Sequence, residues 1–445
     1  MKRGKALHLY IINIFYNAMA VPVLHIAFFL ATLVSRKARL RRSGLNEIWK
    51  TLTHLPQTQA GERRIWFHAA SMGEFEQVKP IIERIKAHPP QTQIIVSFFS
   101  PSGYQHQRGY ALADAVVYMP LDGKQATKCF LDHVQPDAVV IARYDVWWNM
   151  LTILQSRSVP TFLVCATLNE KSVLLRIALG RAYLRALYGL LTHIFTAGVG
   201  ETAKFQVLGI TTPLTTAADT RFDRIAAQVA SQSTIRSETA ERLGLGASFF
   251  ADDDTVLVLG SSWKSDEDCV LEAMQRLEQP LKERLRLVIV PHEPTEVAVK
   301  RLRAVIPDSE VLSKFQGNSV EEDVRHIIVD SVGKLLRLYA LADVAFIGGG
   351  FGAGVHSITE PAGYGLPLAC GGNIGRARDA KALYEEGALS LIHNPEEMYA
   401  WLYGMLTSPE TRKKQGTIAH RYIHAGLGWS EKIAEHIIEK IESNR

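Results

Sequence analysis

Short apolar runs rich in β-branched residues alternate with helical patterns along most of this chain, and they do so in two series. Runs of this kind are typical of parallel sheets that are covered by helices on both faces. Two series predict an α/β protein with two doubly wound, Rossmann-like domains, whose ligands bind at the carboxyl ends of the strands in one shared cleft. The first series of predicted strands covers residues 64–68, 93–99, 116–119, 137–142, 161–166 and 193–197, and the second covers 256–260, 286–290, 326–329, 344–347 and 366–369.

The division into domains follows from the same pattern. A Thr- and Ala-rich stretch, interrupted by Pro213, separates the two series around residues 208–223. A length of 445 residues also makes two domains the ordinary expectation. We therefore expect an anchor with a basic flank over residues 1–45, an N-terminal domain over 46–215 and a C-terminal domain over 216–445.

The stretch that says most about function covers residues 346–371 and reads FIGGGFGAGVHSITEPAGYGLPLACG. A strand runs into clustered glycines, whose backbone N–H groups can approach an anion closely, and a helix start follows. His356 adds a donor, and Glu360 lies one helical turn later, where a carboxylate can accept from vicinal sugar hydroxyls. This combination suits the phosphate and ribose of a nucleotide. The alternative is a glycine-rich turn that only closes a Rossmann-like unit.

Composition excludes several other classes of protein. The chain carries a formal net charge of +5 with a pI near 8.9, which is too weakly basic to indicate a nucleic acid partner. Its four cysteines are widely spaced and form no CxxC pair, so neither a zinc site nor a disulfide framework is indicated. A reducing cytosol fits this cysteine usage.

The N-terminus predicts a membrane anchor. Residues 7–34 contain no Lys, Arg, Asp or Glu, and this length is enough to span a bilayer. More positive charge follows the segment than precedes it, which favours a catalytic body on the cytoplasmic side. Basic residues on both flanks also suit a helix that lies in the headgroup plane. A cleaved signal peptide is disfavoured by the arginines that follow directly, and a buried core helix is the remaining alternative.

Polar residues that end strands of the first series supply three catalytic candidates, Glu74, Asp145 and Arg221. Glu74 lies where a strand-end turn becomes a helix, so its carboxylate could take a proton from an acceptor hydroxyl. The alternative is a helix N-terminal glutamate that the dipole stabilises. Asp145 follows an apolar strand within RYDVWWN, where the alternative is a surface Arg–Asp pair beside core tryptophans. Arg221 lies near the domain boundary and could reach a phosphate.

The second series supplies the nucleotide-binding candidates. The serines of GSSW suit a phosphate, with a plain helix N-cap as the alternative. The PHEP turn could lie along the edge of a nucleotide base and hold a phosphate, and the alternative is a rigid turn. The DSVGK segment begins a helix, whose free N–H groups could bind a phosphate or a base. The candidates are Ser261, Ser262, Pro291, His292, Val332, Gly333, Lys334, Gly354, His356, Ser357, Ile358, Thr359 and Glu360.

A run of three aspartates, residues 252–254, mimics the DxD motif that holds a divalent metal in some sugar transferases. The run precedes a strand and follows two phenylalanines, which favours a solvated loop. We expect no metal site and no cofactor.

Together these sites resemble one family, the Kdo (3-deoxy-D-manno-octulosonic acid) transferases of lipopolysaccharide inner-core synthesis, in one order along nearly the whole chain. The family's AS-x-GE motif is present as residues 70–74, and its general base maps to Glu74. Its usual ETELWPN reads RYDVWWN here, so that Arg143 stands where the family has glutamate and Asp145 replaces the second glutamate. GSSW and the glycine loop match, with Ser357 where many members have Asn, and Pro291 replaces an arginine. These departures indicate a divergent branch.

The resemblance implies a type-B glycosyltransferase fold and an inverting enzyme. Its N-terminal domain would bind a lipid A precursor (lipid IVA) and its C-terminal domain CMP-Kdo, at the cytoplasmic face of the inner membrane. Glu74 would deprotonate a glucosamine hydroxyl, while Arg221 would stabilise the departing CMP. No nucleic acid partner is implied.

Two alternatives remain open at the level of sequence. Another type-B transferase that uses a UDP- or GDP-sugar would share the glycine loop and Glu360. A membrane-anchored, non-catalytic nucleotide-binding protein would share the fold, but the intact Glu74 argues against it.

Overall fold

A computed structural model describes residues 2–59, 61–170, 172–231, 236–245, 249–315 and 324–444. The chain divides into two compact units. The first consists of Met1–Asp223 together with Gly426–Arg445, and the second of Arg224–Ala425.

The first unit is built on one sheet and its helices. Up to residue 216 the strands are β1 (Arg63–Ala69), β2 (Thr92–Phe98), β3 (Ala115–Tyr118), β4 (Ala138–Ala142), β5 (Thr161–Ala166), β6 (His193–Thr196) and β7 (Leu214–Thr216). The helices are α1 (Lys2–Phe15), α2 (Val21–Val34), α3 (Arg36–Thr53), α4 (Met72–Ala87), α5 (Pro101–Gln107), α6 (Lys124–Val134), α7 (Trp148–Ser156), α8 (Val173–Arg176), α9 (Ala178–Tyr188) and α10 (Val199–Leu208), and a π-helical turn, Tyr16–Ala20, joins α1 to α2.

The second unit repeats the arrangement. Its strands are β8 (Thr255–Ser262), β9 (Leu285–Pro291), β10 (Ser309–Val311), β11 (His326–Ile328), β12 (Val344–Ile347), β13 (Leu368–Gly371) and β14 (Leu389–Ile392). Its helices are α11 (Arg221–Ser231, which begins in the first unit), α12 (Arg236–Arg242), α13 (Lys264–Gln275), α14 (Gln279–Arg284), α15 (Glu296–Val305), α16 (Leu335–Leu338), α17 (Thr359–Gly363), α18 (Arg378–Glu385), α19 (Pro395–Thr407) and α20 (Pro409–His424), with 3₁₀ turns at Leu312–Phe315 and Tyr339–Leu341. The last helix, α21 (Trp429–Glu442), belongs to the first unit.

Both sheets contain seven parallel strands, so the prediction of two doubly wound α/β domains is confirmed. The order is β3-β2-β1-β4-β5-β6-β7 in the first sheet and β10-β11-β9-β8-β12-β13-β14 in the second. The order reverses between β1 and β4, and again between β8 and β12. In open α/β sheets such switch points are where ligands bind. The loops after these four strands are therefore the places to look for a site.

Burial on both faces of each sheet explains why the strands read as continuous apolar runs. Every residue of β1, β2 and β4 is buried. Helix α21 returns to the first sheet, where Ile433 and Ile437 pack in the same core as Ile81 of α4. After residue 425 the chain thus belongs again to its first unit. The domains expected from the sequence, 46–215 and 216–445, did not include this return.

The N-terminal segment is a long apolar helix that stays largely exposed. Residues Leu9–Val34 are long and apolar enough to cross a membrane, by length and composition. Its exposed side chains include Ile14, Phe15 and Leu33. The alternative of a buried core helix is therefore wrong for most of its length.

Polar contacts fasten this segment to the first unit at its π-helical turn. Tyr16 donates from its hydroxyl to Asp122 over 2.9 Å. Asn17 and Asn149 exchange two side-chain hydrogen bonds of 3.0 Å. Trp148 donates its indole N–H to Asn13 over 3.2 Å. Asn13 and Asn17, two polar residues within the apolar run, therefore face protein, and we call this set of contacts the anchor bracket.

Candidate active site

The loop after β1 places Glu74 at the switch point of the first sheet. Ser71 caps α4, since its hydroxyl accepts the amide of Glu74 over 3.4 Å. The Glu74 carboxylate turns back and accepts the amide of Ala70 over 2.6 Å, and only 4 % of the residue is exposed. Burial raises the pKa of this carboxyl above its usual value. A carboxyl held this way suits a general base.

The loop after β4 brings Asp145 to His68, the next-to-last residue of β1. Asp145 accepts from His68 Nε2 over 2.8 Å, and Ser97 contacts Nδ1 of the same ring at 2.8 Å. Asp145 acts on Glu74 by raising its pKa further, whereas His68 acts to lower it. The structure therefore brings two of the three catalytic candidates together.

His68 is a further candidate for the site, and the sequence interpretation gave it no role. It is fully buried within β1, where the other side chains are mostly apolar. A titratable residue near the carboxyl end of a central strand was the available signal. Its ring N–H orients the carboxylate of Asp145, and the same strand then leads directly to the turn that carries Glu74.

Arg143, which stands where the resembled family has glutamate, contributes a positive charge. Its φ of 61° lies in the left-handed region, where a non-glycine residue is uncommon. Its guanidinium lies 5.5 Å from the ring centre of Tyr144, and its charge acts to lower the pKa of Glu74. The arginine thus partly offsets the effect of burial on this carboxyl.

Arg221 lies at the start of α11 in a bidentate pair with Asp219. Its Nε and one terminal nitrogen donate to the two carboxylate oxygens over 3.0 and 2.8 Å. Asp219 is itself buried and accepts from Gln77 over 2.7 Å. The guanidinium is about 29 % exposed. Asp219 therefore orients Arg221, and the phosphate-binding role of Arg221 stays a prediction.

Trp147 and Asn149, the two positions of RYDVWWN that match the resembled family, serve packing here. Trp147 stacks on Phe99 with ring centres 6.1 Å apart. Asn149 belongs to the anchor bracket and also donates to the carbonyl of Asp122 over 2.6 Å. Asn149 thus joins the segment after β4 to the N-terminal helix, and Trp147 joins it to the residue that follows β2.

In the second unit, the glycine loop lies after β12, at the switch point of that sheet. Its amides are largely paired within the protein. Gly349 donates to the buried Asp266 over 2.9 Å, and Gly352 and Gly354 both donate to the carbonyl of Gly349 over 3.0 Å. The loop is also packed tightly, because a Cβ on Gly350 would lie 2.5 Å from the backbone of Gly371. The loop is a rigid scaffold, and the candidate Gly354 contributes a φ of 121° rather than a free amide.

Three rings stack beside this loop. His292 lies 4.8 Å from Trp263 and 4.2 Å from His356, centre to centre, with the planes tilted by 28° and 15°. The Trp263 indole donates to Nε2 of His356 over 3.0 Å. Burial, and then the neighbouring His292, lower the pKa of His356. The structure therefore brings the candidates His292 and His356 together, with a proton on Nδ1 of the neutral His356.

The two serine candidates after β8 differ in availability. Ser262 is buried and donates its hydroxyl to Glu267 over 2.7 Å, so this hydroxyl is already used inside the protein. Ser261 is half-buried and has a left-handed φ of 52°. Pro291 ends β9 and is buried beside Ser262, its partner in the sheet register.

The remaining candidates lie after β11 and around the start of α17. Val332 is 80 % exposed, Gly333 has a φ of 81°, and Lys334 precedes α16. In the other segment, Ile358 and Thr359 are buried, and Ser357 lies 3.3 Å from the Thr359 hydroxyl.

Glu360 is half-buried, and its charge acts on two tyrosines, Tyr339 and Tyr364. The pKa of both tyrosines is raised, first by burial and then by this charge. In the described part of the chain, both tyrosine hydroxyls are buried without a hydrogen-bond partner. Two orphaned donors near a carboxylate are typical of a place that a polar ligand completes.

Comparisons with known proteins agree with this architecture. Residues 44–224 match the family model described as 3-Deoxy-D-manno-octulosonic-acid transferase (kdotransferase). Curated 3-deoxy-D-manno-octulosonic acid transferases are 20 % identical in Haemophilus influenzae, over 85 % of this chain and 88 % of that protein, and 25 % identical in Aquifex aeolicus, over 77 % and 86 %. These matches, all at low identity, support a divergent member of the Kdo transferase family, and with it a glycosyltransferase.

Solved structures bear on the fold of this chain. UDP-GlcNAc 2-epimerase from Neisseria meningitidis aligns with a TM-score of 0.58 at 14 % identity, over 85 % of this chain and all of that one. MurG from Acinetobacter baumannii aligns with a TM-score of 0.52 at 13 % identity, over 85 % and 99 %. These likenesses are of fold alone, and they confirm the type-B glycosyltransferase fold. The N-terminal apolar helix is seen in this structure itself. The matched range 44–224 contains Glu74, Asp145 and Arg221.

The last residue of the aspartate run, Asp254, has a structural role. Asp254 is buried, accepts the amide of Ala251 over 2.8 Å and pairs with Arg286 over 2.8 Å. Among the residues that the structure describes, no group of three or more His, Cys, Asp or Glu side chains could hold a metal ion.

Proposed function

We propose that this protein transfers Kdo from CMP-Kdo to a lipid A precursor, lipid IVA, in the synthesis of the lipopolysaccharide inner core. The observation that carries the proposal is the buried Glu74 at the switch point of a sheet that lies within the range matching the Kdo transferase family. A carboxylate with a raised pKa is suited to take up a proton from an alcohol.

The reaction is a single displacement with inversion. Glu74 takes the proton of a glucosamine hydroxyl, and that oxygen forms a bond to the anomeric carbon of Kdo. The bond between that carbon and the phosphate oxygen of CMP breaks, and the phosphate keeps the electron pair. Positioned donors stabilise such developing charge. Arg221 is our candidate on the first unit, and its pairing with Asp219 keeps the guanidinium oriented.

The second unit is our candidate for the nucleotide. Glu360 would accept from the ribose hydroxyls, near the orphaned hydroxyls of Tyr339 and Tyr364. His292 and His356 present imidazole N–H groups that suit a phosphate. The paired glycine amides favour a role for the loop in holding these side chains in place, since most of its own donors are occupied.

The N-terminal segment supports a place at the cytoplasmic face of the inner membrane. Its apolar residues are exposed and its flanks are basic, which suits an anionic leaflet. A lipid acceptor stays in the bilayer because each buried CH₂ is worth about 0.8 kcal/mol. An anchored enzyme meets this acceptor where it resides.

The direct test is incubation of the purified protein with CMP-Kdo and a tetraacylated lipid A precursor, followed by mass spectrometry of the lipid. We expect a mass increase of one or more Kdo residues and release of CMP. Parallel reactions with UDP- and GDP-sugars form the comparison. Transfer from one of those donors, with none from CMP-Kdo, would contradict the proposal.

A further inference from the structure

A pocket of about 270 Å³ opens in the first unit beside the N-terminal segment and helices α8 and α9. Its lining is aliphatic and aromatic except for Asn169 and Ser172, and none of these described lining residues is charged. Sites for complete drug-sized ligands usually measure roughly 300–1,000 Å³. This pocket therefore suits one apolar part of a larger molecule.

Two of the aromatic side chains that line the pocket are held in place by ring stacking, and one of them also by a hydrogen bond. Tyr16, from the anchor, stacks on Tyr183 with ring centres 6.3 Å apart and planes at 11°, and its hydroxyl is fixed by Asp122. Trp147 is fixed by its stack on Phe99. A wall whose side chains cannot rotate away keeps an apolar pocket open, so less order has to be imposed when a ligand enters.

The pocket joins an exposed apolar surface to the candidate catalytic residues. Leu174 lines the pocket and is 37 % exposed, and next to it along the chain Val173 and Ile177 are 66 % and 49 % exposed. Tyr144 also lines the pocket and directly precedes Asp145, the partner of His68. An occupant that enters from an apolar surface would thus end beside the residues that act on the acceptor.

Trp147 is a lining residue that also carries a polar group. Its indole N–H is buried and has no hydrogen-bond partner among the described residues. A buried unpaired donor is costly, and a carbonyl or hydroxyl oxygen of a ligand would satisfy it. Acyl chains joined by ester or amide bonds carry such an oxygen at their polar end.

We infer that this pocket binds one acyl chain of the lipid acceptor, with Tyr16 of the anchor as one of its walls. The inference rests on the proposed function, since it names how that acceptor is held. It gives the N-terminal segment a second role, because the anchor then forms part of the acceptor site and also attaches the enzyme to the membrane.

Photo-crosslinking of the full-length protein tests the inference without requiring turnover. The probe is a bisphosphorylated glucosamine disaccharide with four acyl chains, one of which ends in a diazirine. We expect crosslinks on pocket residues such as Leu175, Tyr183 and Leu184, mapped by mass spectrometry. Crosslinks confined to exposed residues of the anchor and of α8–α9 would overturn the inference, because they indicate membrane contact only.

A pocket-filling variant supplies the kinetic test. Ser172→Phe adds a ring to the lining, and Leu179→Phe, on the neighbouring helix α9 but outside the pocket, is the matched control. We expect Ser172→Phe to raise the KM for the tetraacylated acceptor about tenfold or more with little change in kcat, since each displaced CH₂ corresponds to roughly a fourfold change.

The same variants separate this inference from the proposed function. Ser172→Phe should leave CMP binding and the thermal unfolding midpoint unchanged. These two measurements test whether the variant is folded. An unchanged KM in a folded Ser172→Phe protein, or an equal rise in Leu179→Phe, would overturn the acyl pocket. Failure of the wild type to use CMP-Kdo would instead contradict the proposed function, whatever the crosslinks show.

Discussion

At the scale of single residues, the site of the first unit is a balance of charges around one buried carboxyl. Burial raises the pKa of Glu74, and the Ala70 amide, which donates to the carboxylate, lowers it. Asp145 then acts to raise the pKa, while Arg143 and His68 act to lower it. The sequence indicated Glu74 and Asp145 as candidates from their places after strands. It could not give the orientation of His68, because only the register of β1 against β4 brings that ring to Asp145.

Replacing Glu74 by Gln tests the base. The change keeps the shape of the side chain and removes the proton acceptor, so we expect transfer to fall by about 10²–10⁴-fold while CMP affinity is unchanged. Steady-state assays and calorimetry measure the two quantities. Glu83→Gln, an exposed change on the same helix, is the control and should behave as wild type. Turnover of the Glu74 variant at the wild-type rate would remove this residue from the mechanism.

Replacing Arg143 by Gln tests the charge balance through pH dependence. The base must be ionised, so transfer falls as the pH falls through the pKa of Glu74. The positive charge of Arg143 favours the carboxylate and lowers this pKa. Its loss should raise the pKa and move the acidic limb of kcat/KM to higher pH. A limb that stays in place, or moves to lower pH, would refute this role for Arg143.

Replacing Glu360 by Ala tests the donor site. We expect CMP to bind about ten- to a hundredfold more weakly, because a hydrogen bond to a charged group is worth roughly 1.5–3 kcal/mol. Isothermal titration calorimetry with CMP measures the change. Glu385→Ala, an exposed change on α18, is the control. Equal affinities for CMP in the two folded variants would exclude Glu360 from the ribose site.

At the scale of elements, the apolar strands were predictable because burial on both faces leaves an unbroken hydrophobic run. The strands β7, β10 and β14 were missed because all three lie at the outer end of their sheet and are only partly buried, so their sequences are not unbroken apolar runs. The interior of the glycine loop was not predictable either. Composition showed a backbone that could approach an anion, whereas the structure shows that Asp266 and the loop's own carbonyls occupy most of these amides.

Two neighbouring glycines test the loop as a scaffold. A Cβ on Gly350 would lie 2.5 Å from backbone atoms of Gly371, whereas a Cβ on Gly352 would meet nothing within 4 Å. We expect Gly350→Ala to destabilise the second unit by about 1–3 kcal/mol and to weaken CMP binding, because overpacking displaces backbone. Gly352→Ala should change neither. Thermal unfolding with and without CMP checks both, and equal behaviour of the two variants would contradict a tightly packed loop.

At the scale of the whole molecule, the chain joins the unit that carries our nucleotide-binding candidates to a unit that carries a long apolar helix. This helix was predictable from the lack of charge over residues 7–34. The anchor bracket was not, because Asn13 and Asn17 look in sequence like flaws in a membrane span. The structure pairs them with Trp148 and Asn149, far along the chain. The anchor is consequently part of the fold of the first unit.

Deleting residues 1–34 tests both roles of the anchor. We expect much of the protein to leave the membrane fraction, and activity on acceptor in vesicles to fall more than activity on detergent-dispersed acceptor. The deletion also leaves Asp122 and Asn149 without their anchor partners, and each lost buried partner costs about 1–3 kcal/mol. The unfolding midpoint of the first unit should therefore drop, while CMP affinity stays unchanged because its candidate residues lie in the other unit.

Asn17→Leu separates the two roles, since it breaks one pair of the anchor bracket and keeps the apolar length. This variant should remain on membranes with a lowered unfolding midpoint. If the deleted protein sediments with membranes as fully as the intact chain and uses vesicle acceptor equally well, the segment does not anchor the enzyme; if its unfolding midpoint is unchanged, the anchor bracket does not stabilise the first unit.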